Sequence, residues 1–371
     1  YADSVYPECH TGSAALEAGA HLQNMTEWQY GLASVRPRWN VSGTYMQVLP
    51  RFISVDEAGE EREFLLDFFG DAYTALSAVF LKGYQWPFDS RKVLHGSSVI
   101  DLLVYRECVL KKRRVFLEYT RNPFDLEEVE FGRLSPEAYT YLSRAQACFG
   151  TPIQRLERMN APAIELYRKK SVDLTREPLE IALCAQHNNG GIAVDLWWQT
   201  AVPGLFAVGE CAGTHGVTRP GGSALNAGQV GSLRAAQYIS YGDARETDAT
   251  AFAEVAASAL ARHTDFCRAM LGNADTVDAR TAAVRRRMSD AGGAIRQPEA
   301  MEAARGAARA ELAEFDRTVG VSSPGDLYKS YKLKDSIQIQ EVVLTAMLDF
   351  AVHADGTRGS ALYGDAQGEL R

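Results

Sequence analysis

Residues 202–231, VPGLFAVGECAGTHGVTRPGGSALNAGQVG, concentrate the side chains that can do chemistry in this sequence. An apolar run at residues 205–208 is ended by Gly209 and followed by Glu210, so a carboxylate is expected at the C-terminal end of a short buried strand. His215, Arg219, Gly221 and Gly222 lie within eight residues, and Ser223-Ala224-Leu225-Asn226 then opens a helical pattern. A glycine-relieved backbone thus meets a helix N-terminus, whose N–H groups suit an anion or an electron-rich ring edge. Cys211, beside Glu210, reads as a small packing residue rather than a nucleophile.

GLFAVGE and HGVTRPGGSAL, preceded by Gln186-His187-Asn188-Asn189-Gly190-Gly191-Ile192, resemble the flavin-adjacent C-terminal signature of the succinate dehydrogenase and fumarate reductase flavoproteins, which include L-aspartate oxidase. The resemblance implies an FAD-dependent oxidoreductase that transfers a hydride between flavin and a small, carboxylated substrate. It implies that Glu210 holds the ribityl or ribose hydroxyls of the FAD and that Gly222, Ser223, Ala224 and Leu225 form the flavin-binding turn, Ala224 and Leu225 through backbone amides. His187 and Arg219 would clamp a substrate carboxylate, with His215 a second histidine of the site. The plain alternative is a glycine-rich strand-to-helix turn of an ordinary α/β domain.

Two elements of the family pattern do not occur where it would place them. No GxGxxG turn precedes Trp28, so the resemblance implies that a dinucleotide-binding unit lies upstream in the same gene or on another chain. Fumarate reductases of this kind protonate substrate with an arginine that opens a cap helix, and Ser97 and Ser98 stand there instead, with Arg51 and Arg106 nearby. These departures favour the rival reading, a non-catalytic flavoprotein-like subunit that serves as a binding or assembly partner. The retained His187, Glu210 and Arg219 oppose it.

The elements that position these residues are read from composition and periodicity. The 371 residues are 46% hydrophobic and 23% charged, with room for two or three domains of ~150 residues. A net charge of −8 excludes a broad basic field for nucleic acid, and no apolar run reaches the ~20 residues of a transmembrane helix. Six widely spaced cysteines without a CxxC pair indicate neither a zinc site nor a disulfide framework, so no metal and a cytoplasmic, reducing compartment are expected. An electron-transfer partner is left open.

The expected fold is α/β plus α+β: the C-terminal part of an FAD-binding Rossmann-like domain, an inserted capping domain and a C-terminal helical region. Residues 1–27 would form the edge of the FAD-binding domain, with a helix over residues 13–25 capped by Ser13. Residues 28–180 alternate short strands, loops and helices and would be the substrate cap. Residues 181–243 would return to the FAD-binding domain, and Trp197 and Trp198 there read as hairpin packing. Residues 244–371, rich in Ala, Arg and Glu at helical spacing, would form the helical region.

Overall fold

The computed structural model describes residues 10–242, 248–354 and 356–364. The chain mixes helix and sheet, and its described residues divide into two compact units, one of residues 10–29 together with those from 187 onward, the other of residues 30–186.

Residues 30–186 are built on a six-stranded sheet in the order Trp39–Asn40, Trp28–Ser34, Leu179–Asn188, Arg114–Glu118, Arg51–Val55, Glu61–Arg62. Arg51 lies opposite Glu118 and Val55 opposite Arg114, while Val115 and Leu117 face Ile181 and Leu179. Period-two alternation puts Val115, Leu117, Leu179 and Ile181 on one face, where they form a core with Val99, Ile100, Leu103 and Val104 of helix Ser98–Tyr105 and with Ile164 and Tyr167 of helix Pro152–Arg168. Local chemistry starts the helices. Asp71 accepts the Thr74 N–H at 2.7 Å, and Thr151 and Gln154 form a reciprocal capping box ahead of Pro152.

Several charges of this unit are buried in pairs. Lys82 and Asp101 are both fully buried and joined to each other, and Lys82 Nζ also donates to the Gln85 carbonyl at 3.2 Å. Arg51 meets three carboxylates, Glu61 at 2.6 Å, Glu63 at 2.5 Å and Glu118 at 2.6 Å. Burial opposes its charge, but the hydrogen bonds to Glu63, Glu118 and Glu61 outweigh that and hold the guanidinium protonated. Arg51 is therefore an ion-pair residue. Arg106 lies 3.6 Å from Glu107. Ser97 and Ser98, at the start of helix Ser98–Tyr105, are fully buried; Ser97 Oγ donates to the Gln85 carbonyl and Ser98 Oγ accepts from the Asp89 N–H.

In the other unit the helices Ala249–Gly272, Val277–Ala291, Pro298–Thr318 and Leu327–His353 pack together. Phe266, Met270, Val284, Ala308, Phe315, Leu333 and Ile337 make their shared core, and Phe266 stacks on Phe315 at 6.2 Å between centroids. The last helix, Leu327–His353, carries Ser330, Leu333 and Ile337 along its buried stripe.

The expected helix over residues 13–25 and the expected strand over residues 205–208 both need correction. Helix His10–Glu17 stops well before residue 25, since Gly19 takes a left-handed φ of 96° and the chain then forms the short strand Leu22–Gln23. Ser13 does not cap it but sits inside, donating to Gln338 Oε1 at 2.7 Å. Residues 205–208 make no strand: among the described residues Phe206 has one antiparallel bridge, to Gln199, and the chain passes directly into a 3₁₀ turn, Gly209–Cys211. An apolar run becomes a strand when a neighbour supplies a ladder, and here only a bridge is present. Cys9 lies outside the described residues, and none of the other five cysteines is in a disulfide.

Candidate functional site

Strand Leu179–Asn188 ends in His187 and Asn188, both buried, and a tight reversal through Gly190 and Gly191 follows. The reversal requires glycine: a Cβ on Gly190 would lie 2.2 Å from the Asn24 carbonyl oxygen, and one on Gly191 2.3 Å from that of Cys211. Gly191 and Ile192 pair antiparallel with Gln23 and Leu22, and Ile192 bridges Ala212. These contacts bring the 3₁₀ turn with Glu210 against the end of the strand.

Glu210 then bonds back to that strand. Its Oε1 accepts the Asn188 N–H at 3.1 Å, and its Oε2 lies 3.0 Å from His187 Nδ1. On the other side of the ring, His187 Nε2 lies 2.8 Å from His215 Nδ1, with the ring centroids 4.9 Å apart. Three of the candidate residues thus form one row, carboxylate to imidazole to imidazole. Burial lowers the His215 pKa, the nearby His187 and Arg219 lower it further, and Glu210 partly opposes them. The Arg219 guanidinium is likewise lowered by burial and supported by Glu210. Its Nη1 donates to the Pro220 carbonyl at 3.1 Å, while its Nε is buried without a hydrogen-bond partner.

Sequence reasoning missed what holds this loop in place. Residues 212–222 form no regular element, and four side-chain amides donate to their carbonyl groups: Gln23 to Gly213 at 2.8 Å, Asn24 to Gly216 at 2.5 Å, Asn189 to Val217 at 2.7 Å and Gln29 to Arg219 at 3.1 Å. Arg358 adds a further tie, its Nη1 reaching Asn24 Oδ1 at 3.1 Å and Glu27 Oε1 at 3.4 Å. The only sequence signal was an unusual density of Gln and Asn flanking apolar residues, in HLQNM, EWQ and HNNGG. Two of these amides keep a buried oxygen without a partner, Gln29 Oε1 and Asn189 Oδ1.

Beyond the loop, helix Ser223–Tyr241 opens at Gly222, which takes a left-handed φ of 80° and offers no side-chain cap. Ser223 Oγ turns back to the Pro220 carbonyl at 2.8 Å. First-turn N–H groups, those of Ala224 and Leu225 among them, have no helical carbonyl to bond. The Leu225 side chain is exposed, as are Leu233 and Ile239 further along. Trp197 and Trp198 lie in the turn before residue 199: the Arg234 guanidinium sits 4.6 Å from the Trp197 ring centroid, and a Cβ on Gly231 would meet the Trp198 indole at 2.5 Å. They pack against this helix.

The fold has counterparts among solved structures. Over 97% of its length the chain superposes on a mutated chain of E. coli quinol fumarate reductase, FrdA, with a TM-score of 0.60 at 19% identity and 56% of that chain covered. For Mycobacterium smegmatis Sdh1 the TM-score is 0.59 at 20% identity, covering 96% of this chain and 53% of that one. Residues 1–225 match the family model described as FAD binding domain, and the chain belongs to that family, within the succinate dehydrogenase and fumarate reductase flavoprotein superfamily. FAD is the cofactor that this membership indicates.

Local sequence similarity points the same way. The chain is 35% identical over 109 residues to a component of the fumarate reductase (CoM/CoB) of Methanothermobacter marburgensis, 29% of this chain and 19% of that protein. It is 38% identical over 74 residues to L-aspartate oxidase of Synechocystis sp., 19% of this chain and 13% of that protein. The chain therefore spans about half the length of the solved chains it matches, and the alignments to curated relatives are shorter still. Among the described residues no helix is long and apolar enough to cross a membrane, and no cluster of His, Cys, Asp and Glu could hold a metal ion.

Proposed function

We propose that the complete protein is an FAD-dependent oxidoreductase that exchanges a hydride with a small carboxylated substrate. The observation that supports this best is the joining of Glu210, His187 and His215 in one buried row, with Arg219 close enough to depress the His215 pKa. A purely structural turn has no need of a carboxylate, two imidazoles and a guanidinium in one place.

The residues present fit FAD. Gly222 admits a close approach to the start of helix Ser223–Tyr241, and the first-turn N–H groups of Ala224 and Leu225, beside Ser223, suit the electron-rich edge of an isoalloxazine. Bound FAD supplies the two-electron chemistry. Arg219 binds the substrate carboxylate, Nε providing a buried donor that awaits an acceptor. In this reading Glu210 orients His187, a role its 3.0 Å contact supports over the flavin-hydroxyl contact implied by resemblance. A non-catalytic role is favoured by one observation: Ser97 and Ser98 are tied to Gln85 and Asp89 and offer no cation.

The test is Arg219→Lys in the complete protein, with a panel of carboxylic acids screened for flavin bleaching or reoxidation. Lysine keeps the charge and loses the planar fork, so carboxylate affinity should fall about tenfold or more while flavin content is unchanged. Release of flavin by Arg219→Lys, with normal turnover in whatever enzyme keeps it, would make the residue a cofactor ligand and overturn the assignment.

A further inference from the structure

The row formed by Glu210, His187 and His215 has one open end. A carboxylate only accepts, so the proton between Glu210 Oε2 and His187 Nδ1 belongs to the histidine. Nε2 of a neutral His187 is then an acceptor, and the 2.8 Å contact is filled by the Nδ1–H of His215. What is left is His215 Nε2, a bare acceptor that is buried and has no hydrogen-bond partner. A buried nitrogen lone pair without a donor costs free energy unless something fills it during the working cycle.

We infer that the row is a proton relay, in which His215 Nε2 takes the proton released by the substrate and the charge is passed inward to His187, against Glu210. The inference rests on the carboxylate oxidoreductase reading above. Dehydrogenation of the substrate would send a hydride from one of its atoms to bound FAD and free a proton from the neighbouring atom. The proton bonds to His215 Nε2 as the His215 Nδ1–H bond breaks and its proton joins His187 Nε2. Both electrons leave with the hydride, the substrate has lost two hydrogens, and the new positive charge lies on His187 next to a carboxylate. Left on His215, it would face Arg219. In the reducing direction the same nitrogen delivers the proton, which Ser97 and Ser98 cannot do.

Environment and geometry agree. His187, Glu210 and Arg219 are the charged and titratable groups acting on His215; burial comes first among the causes that keep its ring neutral, then His187 and Arg219, and Glu210 alone opposes them. Neutral His215 is the form that can accept a proton. In this scheme His215 is the catalytic residue, and His187 and Glu210 are positioning residues that act through it.

The test needs no substrate. In the full-length, FAD-loaded protein labelled with ¹⁵N-histidine, NMR at neutral pH should show the proton on Nδ1 of both His187 and His215 and none on His215 Nε2. Glu210→Gln keeps its carbonyl on the Asn188 N–H and turns its amide toward His187 Nδ1, so the row should reverse, with the protons on Nε2 of both histidines. A proton on His215 Nε2 of the parent protein at neutral pH, or proton positions unmoved by Glu210→Gln in a protein with native circular dichroism, would overturn the relay and leave the carboxylate reading standing. His215→Gln guards against a misfolded Glu210 variant: here the proton should stay on His187 Nδ1 beside Glu210, and its absence from that nitrogen in a folded protein would also overturn the relay. Failure of every carboxylic acid to bleach or reoxidise the flavin would instead remove the function on which the relay was placed.

Discussion

Arg358 and Asn24, 334 positions apart in the chain, meet through Nη1 and Oδ1 at 3.1 Å. Asn24 passes the contact on, because its Nδ2 donates to the Gly216 carbonyl, one residue beyond His215. The backbone of Asn24 itself is left-handed, with φ 59°, so a tight local conformation and a distant arginine together fix where that amide points.

Arg358→Met should therefore act on the loop before it acts on the fold. Hydrogen bonds involving a charged group contribute about 1.5–3 kcal/mol each, though this arginine is partly exposed and its share lies at the low end. Amide hydrogen exchange in residues 213–219 of the full-length protein should accelerate, with exchange in helix Leu327–His353 unchanged. Uniform acceleration through the last helix would show that Arg358 holds the helices instead.

Lys82 and Asp101 offer a stability cycle. Either single change, Lys82→Met or Asp101→Leu, leaves an uncompensated charge at full burial and should cost about 3–5 kcal/mol in denaturant unfolding. The double variant replaces both charges with apolar volume and should recover most of that. Additive losses in the double variant would mean that packing, not charge pairing, dominates at this position.

Arg51→Met should destabilise residues 30–186 without touching proton transfer. It leaves Glu61, Glu63 and Glu118 facing one another, and Glu63 is already held above the ordinary carboxylate range by burial. A lower unfolding midpoint, with unchanged flavin reoxidation per folded molecule, is the expected outcome. An unchanged midpoint with lost reoxidation would make Arg51 the proton donor after all.

The lowered pKa of His215 predicts an acid limb in stability. The unfolded chain binds this proton more readily than the folded one, so the contribution of neutral His215 is complete above about 6.5 and is lost as pH falls toward the folded value. Between the two values the slope is about 1.4 kcal/mol per pH unit for one group. The stability gap between the parent protein and His215→Asn, measured by denaturant at a series of pH values, should narrow below 6.5. A gap that is constant or widens on acidification would reverse the assigned direction.

How far the sequence could be read follows from the range of the forces involved. Helices such as Ala249–Gly272 and Pro298–Thr318 were legible because their periodicity is a local property of the chain. Residues 205–208 were misread because strand formation depends on a ladder partner that no local pattern reveals. At the site, residue types marked His187, Glu210, His215 and Arg219, yet not that Glu210 would face His187 or that His187 would face His215. Those pairings arise where the end of strand Leu179–Asn188 meets the turn at Gly209–Cys211, and the carboxamide ties of Gln23, Asn24, Gln29 and Asn189 depend on the same closure.

Those ties are also uncharged. A carboxamide neither titrates in the working range nor attracts counter-ions, so acid and salt act weakly on the bonds to Gly213, Gly216, Val217 and Arg219. The row they frame includes His215, whose charge does depend on acid. The site thus separates its template from its titration: the loop keeps one shape while protons come and go along the row it supports, and changes in pH alter the occupancy of the row rather than the spacing between its members.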